Sequence, residues 1–358
     1  MQVSYTADFL IQDRNLMLMP SRRNVLIGTG AVAAAGAAAV WSMGGKDDPV
    51  MRPAGVPLSP FDGKVTSEEV TAGLDLTGKR VLVTGATSGL GLETMRVLAL
   101  RGAHVYGTGR TLEKAERACA DMPGQTTPVQ LELTDFDSVA ACAATVAAAG
   151  EPLDVLVCNA GIMALPELEQ VYGLEKQFVT NHLGHFLLTN LLLEQVKAAP
   201  QGRIVSVSSS ALKWADPAGI EWDNLSGASN YDARRAYGQS KLANCLMTIE
   251  LARRLRDTPA TANSMNPGPV LTNVGRHAPG WLVAVGNVLG PLFMAKPDEG
   301  ASTICYLAAH PQVADVSGYY FINCSPVALG GNSEDLAMAA RLWDVSTDLV
   351  KDYLPATI

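Results

Sequence analysis

The sequence has few cysteines, little positive charge and no internal repeat, and each shortage argues against a class of protein. Its six cysteines are scattered over 358 residues, with no Cys-x-x-Cys pair. Neither a disulfide framework nor a zinc site is therefore indicated. Lysine and arginine total 27 against 35 acidic residues, which gives a net charge of -8. Because no basic cluster or aromatic stripe occurs after the first 73 residues, we expect no nucleic-acid partner.

The first 73 residues differ in composition from the rest of the chain. Arg22 and Arg23 precede an uncharged run at 25–45 that is rich in alanine and glycine. A basic pair, an apolar stretch and small residues are typical of a twin-arginine export signal, whereas about 20 apolar residues could also remain as a membrane anchor. A soluble helix fits less well because the run has no polar face. We expect a targeting signal or anchor at 1–45, with a chloroplast or cytoplasmic location as the alternative, and a linker and N-terminal arm at 46–73.

A strand, a glycine-rich turn and a helix follow in order. Val81 to Val83 predict a short buried strand, Thr84 to Gly91 carry glycines spaced G-x-x-x-G-x-G, and 92–101 has a helical pattern. In such a βα unit the backbone amides and the helix N-terminus can hold a pyrophosphate. Glycines alone could mark only a tight turn with positive φ, but the flanking strand and helix favour a nucleotide site.

The next strand, 104–108, ends at Gly109 and Arg110. An acid near this position would bond the 2′-hydroxyl of NAD, and no acid is present. Arg110 offers a fork of donors suited to a 2′-phosphate, so the sequence favours NADP. The alternative is a solvated arginine at the end of a strand.

Alternating strands and helices continue through the first half of the chain. We predict a third strand and its exit at 129–135, a helix at 138–149 and a fourth strand at 153–157, followed by small residues around Asn159. Continuous apolar strands separated by helices predict an α/β fold. Residues 74–358 should form a single Rossmann-type domain, with a doubly wound parallel sheet flanked by helices.

Tyr237 and Lys241 are four residues apart, so on a helix they share one face. A nearby ammonium lowers the pKa of a phenol, which makes Tyr237 a candidate acid. The pair alone could equally belong to an ordinary amphipathic helix. The preceding stretch, Arg203 to Ser210, is an apolar run that ends in hydroxyl groups.

With these motifs in the same order, residues 77–355 resemble the short-chain dehydrogenase/reductase family. The branch that the chain resembles contains retinol dehydrogenases, WW-domain oxidoreductases and light-dependent protochlorophyllide reductases, many of which use NADP. The resemblance implies that Asn181, Ser209, Tyr237 and Lys241 are catalytic, with the serine register open among Ser208, Ser209 and Ser210. It implies cofactor contacts at Gly85, Thr87, Ser88, Gly89, Leu90, Gly91, Arg110, Glu132, Leu133, Asn159, Ala160, Gly161, Tyr237, Lys241, Pro267, Gly268 and Thr272.

The resemblance implies an NADP-dependent enzyme that interconverts a carbonyl and an alcohol, with Tyr237 as the acid. The alternatives are a light-dependent tetrapyrrole reductase and a non-catalytic NADP-binding redox sensor. The apolar segment 273–296 is expected to be a substrate lid for a hydrophobic molecule, or else a packed interface. Helices at 178–193 and 242–255 could pair across a homodimer. His182 and His185 lack a third ligand nearby, so we predict no metal.

Overall fold

The structure is a computed structural model that describes residues 52–61, 63–268 and 295–355. These ranges lie within the unit Pro49–Ile358. The predicted signal or anchor at 1–45, Thr272, and the lid segment up to residue 294 lie outside the described residues. Among the helices that are described, none is long and apolar enough to cross a membrane.

An eight-stranded sheet forms the centre of the described chain, in the order β10-β9-β8-β7-β4-β1-β2-β3. Neighbouring strands from β3 to β9 pair in parallel, and β10 pairs antiparallel with β9 at the edge. The predicted fold class, a mostly parallel doubly wound sheet, is therefore confirmed. The strands are β1 Arg80–Val83, β2 His104–Gly109, β3 Thr126–Gln130, β4 Val155–Cys158, β7 Arg203–Val207, β8 Thr261–Asn266, β9 Tyr320–Ile322 and β10 Ser325–Val327. A separate hairpin pairs β5 Gln170–Val171 with β6 Leu174–Glu175.

Helices cover both faces of this sheet. They are α1 Ser67–Val70, α2 Gly89–Leu100, α3 Leu112–Ala120, α4 Phe136–Ala147, α5 Lys176–Phe178, α6 Gly184–Leu191, α7 Leu193–Lys197, α8 Ala233–Arg254, α9 Pro297–Gly300, α10 Ser302–Ala309 and α11 Leu336–Val350. One apolar core lies between the sheet and α4, α6, α8 and α11. The other lies between the sheet and α2 and α10. Because both faces are buried, the central strands β1 and β4 carry runs of apolar side chains without a polar alternation.

The third strand begins three residues earlier than the sequence pattern predicts, and it ends at Gln130. Pro128 is accommodated because β3 is an edge strand. Asp135, placed at the exit of the predicted strand, instead caps α4 by accepting hydrogen bonds from the amides of Asp137 and Ser138. The helix therefore starts at Phe136, two residues before the predicted position.

The described part of the N-terminal arm packs on the domain. Thr66 and Glu69 form a capping box that starts α1. Ser67 Oγ donates to Glu93 on α2 at 2.7 Å. The ring of Phe61 contacts Tyr306 on α10, with ring centroids 6.1 Å apart. The described residues of the N-terminal arm thus pack against α2 and α10.

The two helices that the sequence offered for a dimer contact are covered within the chain by α11. Phe186 on α6 packs edge-to-face on Trp343, with centroids 4.9 Å apart. The guanidinium of Arg254, which ends α8, lies 4.4 Å from the centre of the same Trp343 ring. The α11 helix therefore covers part of both helices, and the homodimer stays a prediction.

Candidate active site

The glycine-rich turn connects β1 to the N-terminus of α2. Gly85 has a φ of 67°, which favours glycine. A Cβ at Gly91 would overlap the carbonyl oxygen of Gly85 and would lie 2.5 Å from Asn159 Nδ2. The turn therefore has no space for a side chain at position 91. Since α2 runs for 12 residues, its N-terminus presents aligned backbone amides and a partial positive charge.

A cleft of about 830 Å³ opens beside this turn, at the carboxyl ends of the strands. The cleft brings together most of the residues that the sequence assigned to a nucleotide. Those on its wall are Gly85, Thr87, Ser88, Gly89, Leu90, Arg110, Glu132, Leu133, Asn159, Ala160 and Gly161.

Two further cations, Lys114 and Arg117, line the cleft beside Arg110. Arg117 pairs with Glu113 at 2.7 Å. Neither Arg110 nor Lys114 forms a salt bridge with any residue in the ranges that the structure covers. The spacing of four residues between Arg110 and Lys114 was available in the sequence, and sequence analysis missed Lys114.

Glu132 lines the cleft with its carboxylate engaged locally. Its Oε1 accepts hydrogen bonds from the amide and hydroxyl of Thr134, at 3.1 and 2.8 Å. Its own amide donates to Ser138 Oγ at 3.0 Å. The loop after β3 is therefore ordered by its own side chains.

The turn after β4 is tied to the end of β1. Asn159 Nδ2 donates to the carbonyl oxygen of Thr84 at 2.8 Å. The amides of Asn159 and Ala160 both donate to Thr84 Oγ1, at 2.8 and 3.0 Å. A Cβ at Gly161 would lie 3.1 Å from Asn181 Oδ1 and 3.7 Å from Lys241 Nζ. The nucleotide cleft therefore borders directly on the predicted catalytic residues.

Tyr237 and Lys241 share one face of α8, which Asp232 starts by accepting a hydrogen bond from the Arg235 amide. Lys241 Nζ lies 5.6 Å from the centre of the Tyr237 ring and donates to the carbonyl oxygen of Val207 at 2.9 Å. Burial lowers the pKa of Lys241 to about 8, partly offset by Cys245.

The expected lowering of the Tyr237 pKa by Lys241 is not found. Burial raises the pKa of Tyr237 to about 12, and a hydrogen bond with Ser209 partly offsets this rise. The prediction failed because it counted the neighbouring charge and omitted desolvation. The phenol is therefore protonated at neutral pH.

The three consecutive serines point in different directions. Ser208 Oγ is buried and donates to the carbonyl oxygen of Lys241 at 2.8 Å. Ser209 is half-buried and accepts from the Ala211 amide at 3.1 Å. Ser210 is exposed. Among the three, Ser209 is the one that lowers the pKa of Tyr237.

Asn181 lies in a π turn, Val179–Leu183, that connects α5 to α6. Its side chain accepts from the Ile162 amide and donates to the Ile162 carbonyl, both at 2.9 Å. Its Nδ2 also donates to Ser240 Oγ at 2.9 Å, which joins the π turn to α8. Asn181 is thus held against both the turn after β4 and the helix of Tyr237.

The two histidines of this helix contact different partners. His182 Nε2 hydrogen-bonds with Ser346 Oγ on α11 at 2.8 Å, whereas His185 Nε2 hydrogen-bonds with Thr84 Oγ1 at 2.9 Å. The sequence pattern did not indicate the connection of His185 to the glycine-rich turn.

Pro267 and Gly268 follow β8, and Gly268 adopts a φ of 76° with its amide donating to Asn266 Oδ1 at 3.1 Å. Thr272 and residues 273–294 of the predicted lid lie outside the described residues. Among the described residues, Trp214 lies near the phenol, with its ring centre 6.2 Å from that of Tyr237.

Comparisons with known proteins place these features in a family context. Residues 79–221 match the family described as short chain dehydrogenase. The chain is 39% identical to the short-chain dehydrogenase TIC 32 A, chloroplastic, of Brassica napus over 306 residues, covering 82% of this chain and 95% of that protein. It is 41% identical to retinol dehydrogenase 14 of Homo sapiens over 293 residues, covering 76% and 86%. A crystal structure of an uncharacterised protein from Mycobacterium Paratuberculosis superposes with a TM-score of 0.65 at 34% identity, over 79% of this chain and 97% of that one.

Proposed function

Because this chain belongs to the short-chain dehydrogenase/reductase family, in the branch of the retinol dehydrogenases, we propose that it interconverts a carbonyl and an alcohol with NADP as cofactor. The observation that carries the proposal is the position of Asn181 and Lys241 beside Gly161 in the wall of the cleft, with Tyr237 on the same face of α8 as Lys241. Asn181, Ser209, Tyr237 and Lys241 are the proposed catalytic residues.

The residues of the cleft fit a dinucleotide. The turn at Gly85 and the N-terminus of α2 suit a pyrophosphate, because Gly85, Ser88 and Gly89 line the cleft and the first amides of a helix lack partners within it. Asn159, Ala160 and Gly161 would lie along the cofactor between its pyrophosphate and the catalytic residues. Pro267, Gly268 and Thr272 would contact the nicotinamide end.

The choice of NADP rests on Arg110 and Lys114. Both line the cleft at the end of β2, where an acid would favour the free 2′-hydroxyl of NAD. Two cations suit a 2′-phosphate, with the guanidinium supplying paired donors and the ammonium a point charge. Gly109, buried before them, keeps the strand end free of a side chain.

A bound reduced nicotinamide supplies the hydride in this chemistry. Tyr237, protonated at neutral pH because burial raises its pKa to about 12, donates its proton to the carbonyl oxygen as negative charge grows there. Ser209 donates a hydrogen bond to the same oxygen and stabilises its charge. Lys241 supplies positive charge behind the phenol, and Asn181 orders the chain between Lys241 and the cleft.

A hydrophobic substrate is supported by Trp214, a half-buried ring beside Tyr237. An aromatic wall near the reacting group favours apolar molecules. The names of the retinol dehydrogenases point to the same class of alcohol and aldehyde.

For the N-terminal region we propose a targeting signal or membrane anchor at 1–45, followed by a linker and arm at 46–73 and the catalytic domain at 74–358, with a substrate lid at 273–296. The proposal is supported by Arg22 and Arg23 before the uncharged run. A membrane association would use residues 25–45.

The test is Tyr237→Phe, with Tyr172→Phe as a matched control. Tyr172 is exposed and its hydroxyl accepts only from the Phe136 amide among its described contacts. We expect Tyr237→Phe to lower kcat by at least about 100-fold while the Kd for NADPH stays within about threefold, since the proton donor alone is removed. The control should keep wild-type turnover. Wild-type kcat in Tyr237→Phe, measured by NADPH oxidation with a panel of apolar aldehydes and ketones, would contradict the assignment.

A further inference from the structure

A buried histidine ring connects the glycine-rich turn to the π turn of Asn181. His185 is 1% exposed. Its Nε2 lies 2.9 Å from Thr84 Oγ1, at the end of β1. Its Nδ1 lies 3.1 Å from the backbone carbonyl oxygen of Asn181, one helical turn earlier on the same helix. The ring therefore joins one residue of the cofactor turn to one residue of the proposed catalytic set.

The hydrogen bonds of Thr84 fix the tautomer of this ring. Thr84 Oγ1 already accepts from the amides of Asn159 and Ala160, so both of its lone pairs are used. Its remaining proton can only be donated, and His185 Nε2 is the acceptor within reach. The ring proton must then lie on Nδ1, which donates to the Asn181 carbonyl oxygen because a carbonyl can only accept.

The ring also has a reason to remain neutral. A second proton on Nε2 would face a hydroxyl oxygen that has no free lone pair. Burial, and to a smaller extent the charge of Lys241, lower the pKa of His185 to about 4, although the bond to Asn181 opposes this shift. The ring is thus a fixed donor and acceptor at neutral pH and not a proton carrier.

The carbonyl that His185 holds lies within an irregular part of the helix. In the π turn Val179–Leu183 the amide of Gly184 bonds the carbonyl of Val179, five residues earlier. Such turns are costly and are found often at functional sites. The turn places the Asn181 side chain against Ile162 and Ser240, and the His185 bond holds its backbone from the other side.

We propose that His185 is a positioning residue that couples the cofactor-binding turn at Thr84 to the backbone of Asn181. The proposal rests on the proposed function, since it assigns a cofactor role to the first turn and a catalytic role to the second. Order imposed on the glycine-rich turn by a dinucleotide would pass through the hydroxyl of Thr84 and the ring to the π turn.

A first experiment examines the ring directly, in the full chain without substrate. Long-range proton–nitrogen NMR spectra of the histidine rings distinguish the two tautomers and the cation, and His185→Gln identifies the resonance. We expect a neutral ring with its proton on Nδ1 throughout pH 5.5 to 8. A ring that is protonated near pH 6.5, or that carries its proton on Nε2, would overturn the hydrogen-bond assignment.

A second experiment compares His185→Phe with His182→Phe. Both changes keep an aromatic ring in a buried position of the same helix. His182→Phe removes only the bond to Ser346, so it reports the general cost of losing a buried imidazole. His185→Gln, whose amide supplies one acceptor and donors, serves as the conservative variant.

We expect His185→Phe to lower kcat by roughly 10- to 100-fold and to weaken NADPH binding by about threefold to tenfold, because small displacements of positioning groups have effects of this size. His182→Phe should lose thermal stability but keep kcat and the Kd for NADPH within about threefold. His185→Gln should recover most of both losses. Equal kcat and Kd values in the two phenylalanine variants would reduce His185 to a packing residue.

The measured affinities for NADPH separate the role of His185 from the proposed reaction. If the wild-type protein binds NADPH but turns over no carbonyl compound, the proposed reaction fails while the NADPH affinities of the variants still decide the role of His185. A wild-type protein that binds no dinucleotide would overturn both.

Discussion

Replacing Lys241 by methionine should abolish turnover and at the same time stabilise the cofactor-free protein. Lys241 is buried, with 4% of its surface exposed, and its ammonium donates a hydrogen bond to the carbonyl oxygen of Val207 at 2.9 Å. That carbonyl also accepts from Asn244 Nδ2 at 3.3 Å, so it keeps a partner in Lys241→Met. Methionine is similar in length and unbranched, which limits the packing cost.

The size of the effect follows from the pKa of Lys241. Burial lowers this pKa from 10.5 to about 8, and each pH unit corresponds to about 1.4 kcal/mol, so the buried charge costs about 3 kcal/mol. After allowing about 1 kcal/mol for the lost hydrogen bond, we expect Lys241→Met to raise the free energy of unfolding by about 2 kcal/mol at pH 7.

The stability difference between Lys241→Met and the wild type should depend on pH. Between pH 8 and 10.5 the unfolded chain holds a proton on Lys241 that the folded protein has released, so the contribution of Lys241 to the stability of the wild type rises with pH in this window. The cost is fully present below pH 8. The advantage of Lys241→Met should therefore shrink by about 2 kcal/mol between pH 7 and 9.5, since other groups titrate equally in both proteins.

Urea denaturation of nucleotide-free protein at pH 7, 8 and 9.5 measures this difference. Lys213→Met is the control, because Lys213 is exposed and its replacement should change stability by less than about 0.5 kcal/mol at every pH. A Lys241→Met protein that is less stable than the wild type at pH 7, or whose advantage does not change with pH, would refute the reasoning.

Two further predictions concern cofactor choice and the N-terminus. The double variant Arg110→Ala, Lys114→Ala should raise the KM for NADPH by at least about tenfold, because the 2′-phosphate loses its partners. NADH has no 2′-phosphate, so its KM should stay within about threefold. Equal changes for both cofactors would contradict the NADP assignment. Intact-mass analysis of protein from cell fractions should find the chain in a membrane fraction or shortened within 1–45, and an unprocessed chain in a soluble cytoplasmic fraction would count against the targeting proposal.

The fold could be predicted from the sequence because its strands are short apolar runs between glycine turns and helical patterns. β1 and β4 match the predicted positions closely, since both are buried on two faces and, after Arg80 at the start of β1, carry only apolar side chains. β3 was misplaced because it is an edge strand with threonines and Pro128, so the apolar pattern continues into the loop beyond it. The packing of Trp343 over α6 and α8 depends on contacts far apart in sequence, which periodicity does not contain.

In the candidate site, residues that belong to a local sequence motif could be predicted from the sequence. Residues whose role depends on contacts between distant parts of the chain could not. The glycine-rich turn and the Tyr237 and Lys241 pair have local spacing that follows from their chemistry. His185 and Thr84 are 101 residues apart and meet only because β1 lies against the helix that carries His185. Desolvation of Tyr237 likewise depends on its burial in the folded chain, so the direction of its pKa shift could not be inferred from the neighbouring lysine.

The opposite pKa shifts of Tyr237 and Lys241 have a joint consequence for the reaction. Burial favours the neutral form of each group, so a phenolate at 237 and an ammonium at 241 are both disfavoured when alone. At pH 7 the lysine is still charged and the phenol is protonated, which is the state that reduction of a carbonyl needs at its start. Oxidation of an alcohol needs the phenolate, which forms more easily at higher pH, yet Lys241 loses its charge near pH 8. For the proposed reaction, Tyr237 and Lys241 are therefore in the protonation states that reduction, and not oxidation, needs at neutral pH.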